Sequence, residues 1–579
     1  LATWNDGRSF GGAYSVAQPL LEPLYNSHSQ IELLLKLMGR KDSAYALVRA
    51  TALAIAGHNP TIPQPAALQE RESAEAPVDL IPNQNERTWR KLVQDGVVAG
   101  TDYPIKTNVT LQSFAISQPH SASLNSHDNL QNGEYEITFI DDGKVYDGRF
   151  ANNGSLQELP DFTTKLTWDN AALLSPSTAK RLKVEDGQMI KLEIGGQSVT
   201  LPVYTLPGQP TGSIAVALGY GRKEAGHIGG SAKLSVVSPG FDVSAIRRTS
   251  SAFQRKGVTI TATGAVYELA STQNHHAIDD TGYQERERRA HTLVRETSLA
   301  EYQKDPAYVD STKYEHHLPV IDKYKQEQLF GTLEYKADHQ WGMSIDLSKC
   351  NGCNACIMAC NTENIVPVVG KDQILKGREM QWLRLDRYFA GDEEDPTILS
   401  QPIACVHCEN APCEQVCPVA ATVHSEEGIN DMVYNRCVGT RYCLNNCPFK
   451  VRRFNYHNYH EDLKTPENKV KTMQFNPDVT VRFRGVMEKC TYCIQRIKQA
   501  KDTARNEKRP LGDGDITPAC AQTCGSDAIV FGDINDKKSR VSKLRKLARS
   551  YGMLGGLNVR PRTEMLGKIR NVNPDLAKV

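Results

Sequence analysis

Cysteine is missing from the first 349 residues of this 579-residue chain, and no stretch approaches a membrane-spanning run. A helix across a bilayer needs roughly 18 consecutive apolar residues, so no such span is expected. Charge of either sign is scarce in excess: 68 Lys and Arg face 67 Asp and Glu, a net +1. Nucleic-acid binders carry a strong basic surplus, and nucleic acid is therefore not an expected partner. No Gly-x-Gly-x-x-Gly follows an expected strand, which leaves a nicotinamide or flavin site without support. Cys-x-x-Cys-His is absent as well, because Glu409 follows Cys408 and Ile494 follows Cys493. No c-type haem is then attached to this chain. With 40% hydrophobic and 23% charged residues, the composition is that of an ordinary globular protein.

The chain opens Leu1-Ala2-Thr3-Trp4-Asn5, with no initiator methionine and no leader pattern, so residue 1 is not expected to be the first codon of its gene, and any export signal or upstream domain would lie outside this sequence. Residues 31–56 have helical apolar spacing. A Pro/Gln/Glu-rich loop follows near 59–86. Tyr135–Ile140 alternates as a strand, with Asp141, Asp142 and Gly143 as its turn. Met189–Ile194, then Gly195-Gly196, then Gln197–Val203 reads as a hairpin. Residues 272–340, rich in Glu, Arg, His, Lys and Tyr, read as a solvated polar connector wrapping its neighbour. The basic stretch 537–549 reads as a helix with a solvated face, the sharper alternative being a patch for head groups or an acidic partner.

All 15 cysteines fall between Cys350 and Cys524, an odd number that cannot all pair within the chain. Four groups stand out: Cys350, Cys353, Cys356 and Cys360; Cys405, Cys408, Cys413 and Cys417; Cys437, Cys443 and Cys447; and Cys490, Cys493, Cys520 and Cys524. The first has the bacterial ferredoxin spacing, in which three close cysteines wrap one cubane and the fourth reaches a second cluster. Structural zinc calls for paired Cys-x-x-Cys knuckles instead. Exchanging the last cysteine within the outer pair and within the inner pair of groups gives four ligand sets. The first set is Cys350, Cys353, Cys356 and Cys524. The second is Cys490, Cys493, Cys520 and Cys360. The third is Cys405, Cys408, Cys413 and Cys447. The fourth has only Cys417, Cys437 and Cys443, because Thr440 stands where another cysteine would complete the run. A threonine hydroxyl is a poor iron ligand, so this set predicts [3Fe–4S] beside three [4Fe–4S] clusters. A four-iron cluster with water, hydroxide or the Thr440 oxygen on its fourth iron is the other reading. Tyr442, Phe449, Phe454, Tyr456 and Tyr459 crowd the third group and either exclude water or simply pack. His407 and His424 receive no proton-relay role.

From Trp341 onward the four groups resemble the four-cluster iron–sulfur subunits of molybdopterin oxidoreductases of the polysulfide- and dimethylsulfoxide-reductase type. Phe531–Asp536 and Asn558–Thr563 are similar to their tail segments. Thr440 departs from that pattern, and so does Gly525, where a proline often follows the last cysteine. Upstream, Thr3–Asp6, Gln18–Tyr25, Thr167–Pro176 and Leu218–Arg222 resemble the C-terminal part of a molybdopterin-oxidoreductase catalytic subunit, including its six-stranded barrel. The fusion of both on one polypeptide resembles the B subunit of alternative complex III.

That resemblance implies an α+β multidomain fold. Its parts would be a partial molybdopterin-oxidoreductase-like α/β region over 1–130, a β-barrel over 131–262, a connector over 263–340, and a double two-cluster ferredoxin-like domain over 341–579. It implies an electron-transfer subunit, with no catalytic site of its own, of a membrane-bound quinol-oxidising complex. The implied partners are a polytopic quinol-binding subunit, c-type cytochrome subunits and a terminal oxidase. The implied location is peripheral, on the periplasmic face of a bacterial inner membrane, with no molybdenum in the molybdopterin-like part. The rival expectation is a molybdopterin fusion reductase of the polysulfide-reductase type, with electrons running the other way.

Overall fold

The computed structural model describes residues 2–23, 27–58, 83–107, 135–273, 289–309 and 335–571. Two compact units result, Leu1–Ser126 and His127–Val579. In the first, strands Asn5–Arg8, Tyr14–Ala17 and Val97–Val98 form an antiparallel sheet in that order. Helices Gln30–Leu37, Ala44–Ile55 and Gln84–Asp95 accompany it, around a core of Tyr14, Val48, Leu53, Trp89 and Leu92. The helical stretch expected over 31–56 is therefore two helices. Gly39 takes a left-handed φ of 67° just past the first, which ends a helix at little steric cost. Ser43 then caps the second, its hydroxyl accepting from the Ala46 N–H at 3.2 Å. Of the loop expected near 59–86, residues 59–82 lie outside the described residues.

The second unit begins with a closed six-stranded barrel. Around it the order is Gln254–Val266, Tyr135–Ile140, Ser213–Ala217, Ala172–Leu174, Gln197–Thr205 and Gln188–Ile194, which pairs again with the first. Tyr135, Ile137 and Phe139 point inward, as alternation along a half-buried strand requires. The hairpin turns at Gly195 and Gly196, with φ of 57° and 77°, the positive values that a two-residue connection needs. Its strands reach from Gln188 to Ile194 and from Gln197 to Thr205.

The cysteine-bearing part is built on a four-stranded sheet. Its order is Ile529–Asp533, Trp341–Asp346, Thr563–Leu566 and Ser550–Tyr551, with Trp341–Asp346 buried throughout. The barrel side closes against it through charged and polar groups. The Glu158 carboxylate accepts the Val369 and Gly370 N–H groups at 2.9 and 2.7 Å. Lys371 meets Asp169 at 2.7 Å, and Asn354 Nδ2 donates to the Pro160 carbonyl at 2.9 Å.

Within the expected connector, residues 289–309 are docked rather than solvated. Ala290, Val294, Tyr308 and Val309 are buried in the main core, and Glu296–Ser298 pairs in parallel with Lys568–Arg570. The polar side chains that suggest a linker lie between these apolar anchors. In the basic stretch 537–549 the helix spans only Arg540–Arg545, with Val541 buried. Arg540, Arg545 and Arg549 face Asp527, Glu564 and Asp346, so much of the stretch's charge is already countered. No helix among the described residues is long and apolar enough to cross a membrane.

Candidate metal centres

All fifteen cysteines are free thiols. The local backbone explains how closely spaced cysteines face one point. In the first group, Gly352 and Asn354 adopt φ of 74° and 61°, and the loop then enters helix Ala355–Glu363. In the third group, Gly439 and Arg441 adopt 75° and 62° before helix Tyr442–Asn446. The two loops are conformational repeats, and Thr440 occupies the position of Cys353. Both residues are exposed. The Cys-x-x-Cys segments repeat in the same way: His407 and Tyr492, each just before the second cysteine, have φ of 49° and 54°. Their rings lie 3.8 Å apart.

Four assemblies of thiols follow. Cys356 lies within electrostatic reach of Cys350, Cys353 and Cys524. Cys360 feels Cys490, Cys493 and Cys520, and Cys408 feels Cys405, Cys447 and Cys413. Cys443 feels Cys437 and Cys417. The assemblies also meet one another in a row. Cys520 reaches Cys356 of the first, and Cys490 reaches Cys405 of the third. Arg452 acts on Cys413 of the third and on Cys443 of the fourth.

The electrostatics suit anionic sulfur that needs a metal. Burial pushes the Cys356, Cys413 and Cys490 thiols up to about 12, and Cys360 and Cys520 well above the usual thiol range. Deprotonating such a group is costly unless a cation replaces the proton. Burial raises Cys417 and Cys524 too, but backbone N–H donors at Cys417, and the Ser526 hydroxyl with backbone N–H donors at Cys524, outweigh it and hold both below the usual value. Ala421 N–H lies 3.2 Å from Cys417 Sγ, and Ala528 N–H 3.3 Å from Cys524 Sγ. Asn364 Nδ2 approaches Cys360 Sγ at 3.6 Å.

Cys405, Cys408, Cys413 and Cys447 line a small cavity of about 20 Å3 with Phe449 and Arg452. Arg452 Nε and Nη1 are buried there without a nitrogen or oxygen partner. Among the described residues, no three His, Cys, Asp or Glu side chains converge on a single-ion site. Four buried thiols lining one enclosed space, with N–H donors in its wall, fit an iron–sulfur cluster.

The aromatic surroundings divide. Phe449 is buried beside the third assembly and Phe454 packs on Tyr456 at 4.7 Å. Tyr442 is 56% exposed and excludes little water. His407 is fully buried, accepts the Asn430 N–H at 3.2 Å and is held neutral by burial, with Lys489 adding to the effect. Sequence reading missed Arg452 and Lys489. Aligning the segments that follow the last cysteine of each run would have found Arg452: five residues on stand Ile365, Thr422, Arg452 and Ile529.

A family profile described as a 4Fe-4S dicluster domain matches residues 349–421. The menaquinone reductase iron–sulfur cluster-binding subunit of Nitratidesulfovibrio vulgaris is 42% identical over 237 residues, covering 40% of this chain and 89% of that one. The Hdr-like menaquinol oxidoreductase iron–sulfur subunit 1 of Archaeoglobus fulgidus is 32% identical, covering 36% and 77%. A component of the polysulfide reductase of Wolinella succinogenes is 31% identical, covering 35% and 82%. Among solved structures, acetylene hydratase from Pelobacter acetylenicus overlaps 45% of this chain and 37% of its own at 13% identity and a TM-score of 0.26, too slight a likeness to argue from.

Proposed function

Because this protein belongs to the family of iron–sulfur subunits of menaquinone, polysulfide and related reductases, we propose that it is the electron wire of a membrane-bound quinol-oxidising complex of the alternative complex III kind. Cys350, Cys353, Cys356 and Cys524 would hold the first [4Fe–4S] cluster, and Cys360, Cys490, Cys493 and Cys520 the second. Cys405, Cys408, Cys413 and Cys447 would hold the third, and Cys417, Cys437 and Cys443 a [3Fe–4S] centre. When bound, these groups supply one-electron carriers, arranged from the three-iron end toward the first set. The observation that carries this reading is the row of four thiol assemblies, the first three within electrostatic reach of one another in turn and the third joined to the fourth through Arg452.

The protein's own residues perform three tasks in this reading. Buried thiols that resist ionisation hold metal as thiolates. Backbone N–H groups on Cys417 and Cys524 stabilise sulfur charge. Phe449 and the buried, closely packed His407–Tyr492 ring pair exclude water from the third assembly and its junction with the second. The exposed end of the row, around Thr440, Val438 and Tyr442, faces a polytopic quinol-binding partner on the periplasmic face of the membrane. The first unit and the barrel are a molybdopterin-oxidoreductase-like scaffold without molybdenum that docks c-type cytochrome subunits and a terminal oxidase.

The name of the polysulfide reductase relative favours a second reading, a molybdopterin reductase with electrons flowing the other way. Metal analysis of the purified complex decides. The proposal expects about fifteen irons per chain and no molybdenum or tungsten. About one molybdenum or tungsten per chain would establish the second reading instead.

A further inference from the structure

Two buried cations flank the third thiol assembly, and they differ in how they are satisfied. Lys489 Nζ donates to the carbonyls of Asn430 and Cys490. Arg452 is 2% exposed, and its Nη2 donates to Thr422 Oγ1 at 2.7 Å and Met432 Sδ at 3.4 Å. Its Nε and Nη1 are buried with no nitrogen or oxygen partner, and the guanidinium is in hydrogen-bonding reach of the Cys443 thiol. No carboxylate pairs with it among the described ion pairs. A guanidinium so deep is costly unless an anion answers it. The groups within its electrostatic reach are cysteines of both inner assemblies: Cys405, Cys413 and Cys447 on one side, Cys417 and Cys443 on the other.

The position is distinctive within the repeat. Thr422, which receives the Nη2 hydrogen bond, is the matching residue five places after Cys417. At the corresponding places after Cys360 and Cys524 stand Ile365 and Ile529, both buried. The inner pair of assemblies thus shares a polar, positively charged bridge where the outer pair has two apolar side chains.

We infer that Arg452 is the shared counter-cation of the third and fourth clusters, donating N–H groups to sulfur and raising the reduction potentials of both together. This rests on the proposed cluster sets. Adding an electron to a cluster makes it more negative, and a fixed buried cation favours that state. Removing the charge therefore makes each one-electron reduction harder at these two centres. The first and second clusters, beyond its reach, are unaffected.

The test is a redox titration of the complex, with dithionite as the electron donor, followed by EPR at each poise in wild type, Arg452→Met and Arg452→Lys. Arg452→Met is expected to lower both inner potentials by at least about 59 mV, a tenfold change in each one-electron equilibrium. Arg452→Lys retains the charge and is expected to lose less than half of that shift. The signals of the outer pair should not move. Full iron content with unmoved inner potentials, or a shift confined to one centre, would overturn the inference while leaving the wire intact. Absence of iron from wild type would instead remove the functional reading beneath it.

Discussion

The outer and inner halves of the cysteine-bearing part are built from the same loops but end differently. The outer half has eight cysteines and Ile365 and Ile529 at its matched positions. The inner half has seven, with Thr440 in the place of Cys353 and with Thr422 and Arg452 where the isoleucines stand. The Gly352 and Gly439 backbones are superposable in φ, at 74° and 75°, so the missing cysteine reflects a substituted side chain on an unchanged scaffold. Loop conformation and ligand count are therefore separable properties. The backbone sets where a cluster corner lies, and the residue there decides whether the corner is filled.

The comparison breaks most severely if a buried cysteine is removed. Cys408 sits in the most enclosed assembly, and Cys408→Ser is expected to lose about four irons and to unfold well below wild type. Iron analysis and calorimetry check this. Cys353→Ser, at an exposed corner, should lower the melting temperature by much less. Equal losses in the two variants would contradict the distinction.

The loops differ also in what covers them. A Cβ on Gly352 would collide with the Phe162 ring, whereas a Cβ on Gly514, at φ 96°, meets nothing within 4 Å. Gly514→Ala carries only the left-handed backbone penalty of about 1–2 kcal/mol. Gly352→Ala adds displacement of a ring from the barrel side and should cost about 1–3 kcal/mol more. Denaturant melts of the two variants measure the difference. Identical losses would mean that Phe162 does not seal the first loop.

A smaller effect sharpens the seam between barrel and cysteine part. Burial raises Glu158 from 4.5 to about 7, partly opposed by the Gly370 and Val369 N–H groups. A carboxyl whose folded value is raised contributes stability below about 4.5, and this contribution is lost as pH climbs through about 7. The seam should be firmer at pH 5 than at pH 8. Glu158→Gln, which stays neutral, should flatten that part of the stability profile. A melting-temperature series against pH that is unchanged by the substitution would refute this.

Much of this architecture was legible in short-range pattern. The Tyr135–Ile140 alternation and the Gly195-Gly196 turn are local signals, and local hydrogen bonding decides such elements. The ferredoxin spacing marked the cysteine part for the same reason. What stayed hidden depends on distant partners. The break at Gly39 interrupts an otherwise continuous helical pattern. Residues 289–309 look solvated because their four buried anchors are spaced among charged side chains. Arg452, followed by Arg453, reads as an ordinary basic pair, and only burial between two thiol assemblies gives it a different meaning.

The central claim is that one of four centres is an iron short because Thr440 fills Cys353's equivalent place. EPR of the oxidised complex, in wild type and in Thr440→Cys, tests it most directly. The account predicts a three-iron signal of about one spin per chain in wild type, replaced in the variant by a signal that appears only on reduction. A wild type with no oxidised-state signal, or a variant whose signal is unchanged, would contradict it.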